Sequence, residues 1–280
     1  MPLPWCLAQD WPAMPDSPAA TVAPPIELDV FADIACPWCF IAHRRLGRAI
    51  DAAAALGLGA GASFRWRPFQ LLPDLPPEGV DAVPFFDRRF GGARAREAAW
   101  EQLAVVGDAE GIRFRFERQR KAPNTLLAHR ILALASPDTG VRTADGVEPP
   151  STAHEGGAPG LPLGVDQRAL AGLLFSALFE DGIDIGNVDE ALGYLARSAP
   201  SFDVAQAQRR LTAGDGRDRV REDLGIGAAI GIDAVPVVMA NRRHAVWGAQ
   251  PEIVFRRLLV VAASDVADDL EPEAAPLERP

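Results

Sequence analysis

Two of the three cysteines stand close together, in Cys36-Pro-Trp-Cys39, and this pair carries the clearest chemistry in the sequence. Two residues between cysteines at a helix start bring the sulfurs near enough for a disulfide without large strain. A helix N-terminus also offers free N–H donors and the positive end of the dipole, and both favour a thiolate. The dipole alone lowers a thiol pKa by only about one unit, so larger depressions need local N–H···S hydrogen bonds. Cys36, at the helix tip, is therefore expected to be the more exposed, attacking thiolate. Cys39, one turn further in, is expected to be the resolving thiol. Pro37 suits the first turn, where its missing N–H costs little. Trp38 can shield the sulfurs or give a client an apolar landing surface, and it adds no titratable charge. Taken alone, the pair also fits two buried, inert cysteines. A structural zinc site needs four ligands; His43, His129, His154 and His244 are dispersed and Cys6 lies in a proline-rich leader, so no metal is expected.

The elements that must position the pair follow from hydrophobic period. Ile26 to Phe31 alternates apolar with acidic residues and reads as a strand. After the cysteines, Ala42, Leu46, Ala49, Ile50, Ala53 and Ala54 fall at helical spacing, and Gly57, Gly59 and Gly61 end the helix. Ser63 to Phe69 alternates again as a second strand, so residues 26–69 form a strand–helix–strand unit with parallel strands.

A mostly helical block follows. Asn124 can cap a helix bearing Leu127, Ile131, Leu134 and Ala135, and Asn187 can start one bearing Val188, Ala191, Leu192 and Leu195. Leu170, Leu173, Leu174, Ala177 and Leu178 mark another apolar face. Ser136 to Val165 is rich in Gly, Pro, Ser, Thr and Asp without periodicity and is expected to be a long flexible insertion. Val235 to Met239 and His244 to Trp247 flank a polar turn as a hairpin, and Pro251 opens a last helix. The expected architecture is α/β: a βαβ half (26–69) and a ββα half (231–263) sharing one mixed sheet, with a helical domain (70–230) inserted between them. Residues 1–25, with Met14 as an alternative start, and 264–280 are expected to be a disordered leader and tail.

Gly231-Ile-Asp-Ala-Val-Pro236 precedes the hairpin strand and resembles the G-x-x-G/A-V/T-P segment of thioredoxin-fold oxidoreductases, in which the proline is cis and faces the C-x-x-C. The resemblance implies that Pro236 is that cis-proline and that Val235 offers its backbone to an extended client strand; the alternative is an ordinary strand-initiating proline. Asp33-Ile-Ala-Cys-Pro-Trp-Cys-Phe40, Trp66-Arg-Pro-Phe69, Asn124-Thr125 with Ala128-His-Arg130, Leu174-Phe175 and Gly248-Ala-Gln-Pro251 are similar, in order, to the FrnE-like branch of the DsbA family. These matches span residues 26–262. They imply a thioredoxin-like fold with a helical insertion and dithiol–disulfide exchange on protein or small-molecule clients. Catalytic residues would be Cys36, Cys39 and Pro236, with Pro37, Trp38 and Val235 meeting the client. The chain departs from the pattern in two places. Ser136 to Val165 is longer than the family suggests, and Val30 occupies the position where thioredoxin and DsbA carry a buried acid. Asp33 is the nearer acid for assisting Cys39, and His129 is a second candidate modulator; each also fits a purely structural role.

Arg and Lys total 28 against 38 Asp and Glu, a net charge of −10, which argues against a nucleic-acid partner. No apolar run reaches the roughly 18 residues of a membrane span. The first 25 residues lack a basic n-region and an unbroken apolar stretch, so a cytoplasmic address is expected. No cofactor is expected beyond glutathione as a redox partner. Two rival functions remain. One is a glutathione-dependent isomerase of the 2-hydroxychromene-2-carboxylate type on the same scaffold, though that branch typically carries Ser where Cys36 stands. The other is a chaperone-like holdase using Trp38.

Overall fold

The structure, a computed structural model, describes residues 25–56, 62–136 and 163–268, and the backbone of 142–143 and 146–147. In chain order the elements are β1 (Ile26–Ala32), α1 (Pro37–Ala55), β2 (Ala62–Pro68), β3 (Val80–Asp81), α2 (Ala82–Phe90), α3 (Ala93–Ala109), β4 (Lys121–Ala122), α4 (Leu126–Leu134), β5 (Arg142–Thr143) and β6 (Gly146–Val147). They continue with α5 (Gln167–Phe179), α6 (Val188–Ser198), α7 (Val204–Ala213), α8 (Arg217–Ala229), β7 (Val237–Ala240), β8 (His244–Trp247) and α9 (Glu252–Asp268).

The main sheet has strand order β2-β1-β7-β8. β1 pairs parallel with β2, Val30 opposite Trp66, and antiparallel with β7, Phe31 opposite Val237. Parallel strands need a long crossover, and α1 supplies it. Because successive side chains on a strand point to opposite faces, β1 divides its work. Leu28, Val30 and Ala32 join the main core with Ile41 and Leu46 of α1 and Phe255 and Leu259 of α9. Phe31 turns to the other face, where it packs with Ile232 and Val237. Asp29 shares that face and binds Arg67 Nε of β2 at 2.7 Å; Arg67 also pairs with Asp223 of α8. All three are at least nine-tenths buried. Burial pulls the Arg67 pKa down, but the two flanking carboxylates outweigh it and hold it above its ordinary value. This charged triad fastens α8 to the sheet.

The helix bearing the cysteines is anchored along its whole length. Phe40, fully buried, stacks on Phe175 of α5 at 5.0 Å and meets Phe114 edge-on at 6.1 Å. On the outer side, Glu110 receives Arg45 at 2.6 Å and Arg48 at 2.5 Å, and Arg48 also binds Glu252 of α9 at 2.6 Å. Gly172 lets α5 approach α1: a Cβ there would lie 3.1 Å from His43 Nε2.

Several expectations shift in detail. The helix expected from Asn124 takes Thr125 as its N-cap residue, yet Asn124 Oδ1 still accepts the first-turn N–H of Leu126 at 3.0 Å. Asn187 caps α6 as expected, accepting from the N–H groups of Asp189 and Glu190. The hairpin turn has Asn241 and Arg242 at φ 49° and 55°, and Asn241 tolerates this because its side chain bonds Glu27 N and Ala262 O. The insertion expected to run to Val165 stops earlier, since Leu163 and Val165 are core residues and Leu163 O accepts from Asp203 N. Their two apolar side chains found a hydrophobic wall that local composition could not announce. The last helix runs past Ala263 to Asp268 for a similar reason, with Ala262 buried and Asp265 held to His244 at 2.7 Å. The leader, the rest of the tail and most of the insertion lie outside the described residues.

Candidate active site

Cys36 is the N-cap residue of α1, in extended conformation at φ −98° and ψ 111°, with Pro37 in the first turn. Its Sγ accepts the N–H of Cys39 at 3.4 Å, and its own N–H donates to Asp33 O at 3.0 Å, closing the turn that leaves β1. A capping side chain normally brings an oxygen to these orphan N–H groups; here a sulfur does so. Negative charge on that sulfur is therefore met by an aligned donor and the helix dipole. Both cysteines are free thiols.

The expected contrast in exposure is not present. Cys36 is 4% exposed and Cys39 2%, because the turn 33–36 packs Ile34 into the core and draws Cys36 in with it. What separates the two thiols is environment. Burial pushes the Cys39 pKa well above its ordinary value, and the Cys36 sulfur beside it pushes the same way; a backbone hydrogen bond from Asp33 opposes them. Trp38 is 45% exposed and Pro37 half-buried, so the motif presents its middle residues to solvent and keeps its sulfurs under them.

The Val235–Pro236 bond is cis. β7 begins opposite Phe31, which places Pro236 at the register position facing Ala32, on the sheet end where the turn to Cys36 departs. Pro236 O accepts from Gly248 N at 2.8 Å, while among the described residues neither the N–H nor the C=O of Val235 makes a hydrogen bond.

Asp33 and His129 meet beneath this end of the sheet. Asp33 is fully buried; its Oδ2 accepts from Leu71 N at 2.8 Å and its Oδ1 from Ala35 N at 3.2 Å. His129 Nε2 lies 3.4 Å from Asp33 Oδ1 and 3.0 Å from Phe69 O. The tautomer follows from the other nitrogen. Trp66 Nε1 can only donate, and it points at His129 Nδ1 at 3.1 Å, so Nδ1 accepts and Nε2 carries the hydrogen toward Phe69 O and Asp33. Gln167 of α5 completes the chain, accepting from Trp66 N at 2.7 Å and donating to Leu132 O at 2.9 Å. The structure thus brings together Asp33 and His129. It adds Trp66 and Gln167, to which the sequence reading gave no role. A buried Gln leaves no periodic signature, and Trp66 reads simply as a strand aromatic. Among the described residues no group of His, Cys, Asp and Glu could hold a metal ion.

Comparison with known proteins places this architecture. Residues 27–145 match the model of the DSBA-like thioredoxin domain. No curated protein matches by sequence. Among solved structures, a probable DsbA oxidoreductase from Streptomyces coelicolor aligns with TM-score 0.65 at 22% identity, over 91% of this chain and 94% of that one. A 2-hydroxychromene-2-carboxylate isomerase aligns with TM-score 0.51 at 13% identity, over 88% and 100%. The cytosolic disulfide reductase DsbM from Pseudomonas aeruginosa, solved with GSH, aligns with TM-score 0.51 at 13% identity, over 87% and 98%. With β1 central in a mixed sheet and the cysteine pair at the tip of α1, the chain has a thioredoxin-like DsbA fold, and its residues 27–145 are similar to the DSBA-like thioredoxin domain.

Proposed function

We propose that the protein is a thiol–disulfide oxidoreductase of the FrnE-like kind, acting as a disulfide reductase or isomerase through Cys36 and Cys39. The observation that carries this reading is the sulfur N-cap: Cys36 Sγ receives the Cys39 N–H at the start of α1. In the first step the Cys36 thiolate attacks one sulfur of a client disulfide, forming a mixed disulfide and expelling the other client sulfur as a thiolate. Cys39, on losing its proton, then attacks Cys36 Sγ. The Cys36–Cys39 disulfide forms, the second client thiolate leaves, and the client has gained two electrons. If a different client thiolate instead attacks the client sulfur of the mixed disulfide, a new client disulfide forms, Cys36 leaves as the thiolate, and the client is isomerised with no net transfer of electrons.

The raised pKa of Cys39 suits the resolving role. A thiol that stays protonated leaves the mixed disulfide intact until a base takes its proton. Asp33, buried and three residues before Cys36, is the base proposed for this, with His129 holding its carboxylate. Val235, with its unused backbone groups beside cis-Pro236, is the proposed pairing site for an extended client, and Trp38 its apolar landing. Regeneration of the dithiol takes a thiol reductant, for which glutathione is proposed; DsbM, of the same fold, was solved with it. The cytoplasm is the proposed compartment, and among the described residues no helix is long and apolar enough to cross a membrane. Cys36 favours exchange over glutathione-dependent isomerisation, because a first-position thiolate can itself form the mixed disulfide.

The test is reduction of insulin disulfides with glutathione as electron donor. Wild-type protein should catalyse it, Cys36→Ser should be inactive, and Cys39→Ser should accumulate a mixed disulfide. Reduction that survives Cys36→Ser would reject exchange through Cys36, and suppression of client aggregation that survives it, without any reduction by the wild type, would favour a holdase.

A further inference from the structure

A groove of about 600 Å³ lies between α4, the start of α6 and α8, and none of Cys36, Cys39, Pro236, Asp33 or His129 lines it. Its volume falls in the range of roughly 300–1,000 Å³ usual for small-molecule sites. Leu126 and Leu127 of α4, Val188 of α6, and Val220 and Leu224 of α8 give it an apolar floor and walls. Leu126 is 40% exposed, which leaves an unfilled apolar surface at the groove.

Three guanidinium groups stand over that surface: Arg130, Arg217 and Arg221. Their partners are unequal. Arg130 donates to the backbone carbonyls of Leu211 at 2.7 Å and Asp215 at 3.1 Å, and among the described residues no carboxylate lies within ion-pair distance of it. Arg217 makes no side-chain hydrogen bond or ion pair among the described residues. Arg221 pairs with Asp218 at 2.6 Å, but both side chains are largely exposed, so water competes strongly for that bond. Burial lowers the Arg130 pKa and the neighbouring Arg217 charge lowers it further, against a smaller opposing pull from the Asp215 charge. On a chain of net charge −10, three arginines share one groove without an enclosed carboxylate between them. Among the described residues no acidic side chain lines it.

We propose that this groove binds a small amphipathic carboxylate, its apolar body against Leu127, Val188, Val220 and Leu224 and its carboxylate on Arg217 with Arg130 behind. A single anionic head relieves the repulsion between Arg130 and Arg217 and supplies Arg217 with a charge-assisted, bidentate partner. The apolar walls exclude a bare inorganic anion as the fitting ligand, since they would gain nothing from it. Asn124, a wall residue, is hydrogen-bonded at 3.4 Å to Gln70, the neighbour of Leu71 and Phe69, which hold Asp33 and His129. The groove is thereby linked to the candidate active site without being part of it.

Octanoate is a suitable probe, with 1-octanol as its uncharged counterpart, titrated calorimetrically into the full-length chain. The expected result is saturable one-to-one binding of octanoate, with octanol at least about fivefold weaker. Arg217→Gln, at an exposed helix start, should weaken octanoate about tenfold and leave octanol unchanged, and Leu127→Ser should weaken both ligands. Absence of saturable octanoate binding up to about 10 mM, equal affinity for octanol, or an unaltered Arg217→Gln variant with an unchanged melting temperature would each overturn the proposal.

Discussion

The indole N–H of Trp66 and Nδ1 of His129 face one another at 3.1 Å inside the core, and this contact decides which nitrogen of the histidine can reach Asp33. Neither group has water to fall back on. Trp66→Phe removes the donor, leaves a buried acceptor unsatisfied and should cost about 1–3 kcal/mol. The double variant Trp66→Phe/His129→Leu should recover part of that loss, because the acceptor is gone as well. Urea unfolding of the single and double variants measures the coupling directly. Strict additivity of the two losses would mean that the hydrogen bond contributes nothing of its own.

The two thiols should differ in reactivity through their environments, since their exposure is nearly equal. Iodoacetamide near neutral pH is expected to label Cys36 at least about tenfold faster than Cys39, whose pKa burial has raised. Peptide mapping by mass spectrometry after partial alkylation gives both rates. The rate at Cys39 should still be climbing above about pH 10, where an ordinary thiol has levelled off. Preferential labelling of Cys39 would reverse the assigned roles.

Arg67 stands between Asp29 and Asp223 with all three buried, so the arrangement is sensitive to the loss of its centre. Arg67→Leu removes the buried cation beside Asp29, leaves Asp223 its pair with Arg219 at 3.1 Å, and should destabilise the fold by about 3–5 kcal/mol. Asp223→Asn keeps a hydrogen-bonding partner and should cost clearly less. Chemical denaturation of both variants is the measurement, and equal losses would show that the charge on Asp223 is immaterial.

His43 gives the fold a dependence on acid. Burial, and then the charges of Arg44 and Arg168, lower its pKa to about 3, so it stays neutral in the folded protein while the unfolded chain takes up a proton near pH 6.5. The unfolded state therefore binds more protons as the pH drops below 6.5, and stability contributed by the neutral ring is whole above that value and lost progressively toward pH 3. Between pH 6.5 and 5 the loss should reach about 1 kcal/mol, allowing for a ring that is only half-buried. His43→Leu should flatten this part of the curve, as seen in urea midpoints. An unchanged pH dependence in the variant would assign the effect to other groups.

Much of the frame is legible in the sequence because it rests on period. Alternation in 26–31 and 63–69 and the helical spacing after Cys39 each report a face, and a face implies the layer it packs on. The placement of the cysteine pair at a helix start is legible too, from the strand before it and the helical period after it. Long-range polar partners are not legible. Gln167 reaches Trp66 across 101 positions and Arg67 reaches Asp223 across 156, and neither pairing leaves a local trace. Exposure also escaped, since Cys36 is drawn inward by Ile34, a single apolar residue in a turn. The extent of the insertion was overstated because Leu163-Gly-Val165 is too short to show a period, although both apolar side chains are core.

The sheet order β2-β1-β7-β8 also sets a timetable. Synthesis proceeds from the N-terminus, so β1, the cysteine pair and β2 leave the ribosome long before Val237 to Ala240 exist. Through that interval β1 has a neighbour on one side only, and the thiols of the nascent chain stand without the strand that carries Pro236 to their end of the sheet. Closing so long a loop adds little entropy beyond a short one, so the delay is one of translation rather than of free energy. The cysteine pair is made first and its surroundings last, so Cys36 and Cys39 wait for β7 and β8 until the final fifth of the chain has been translated.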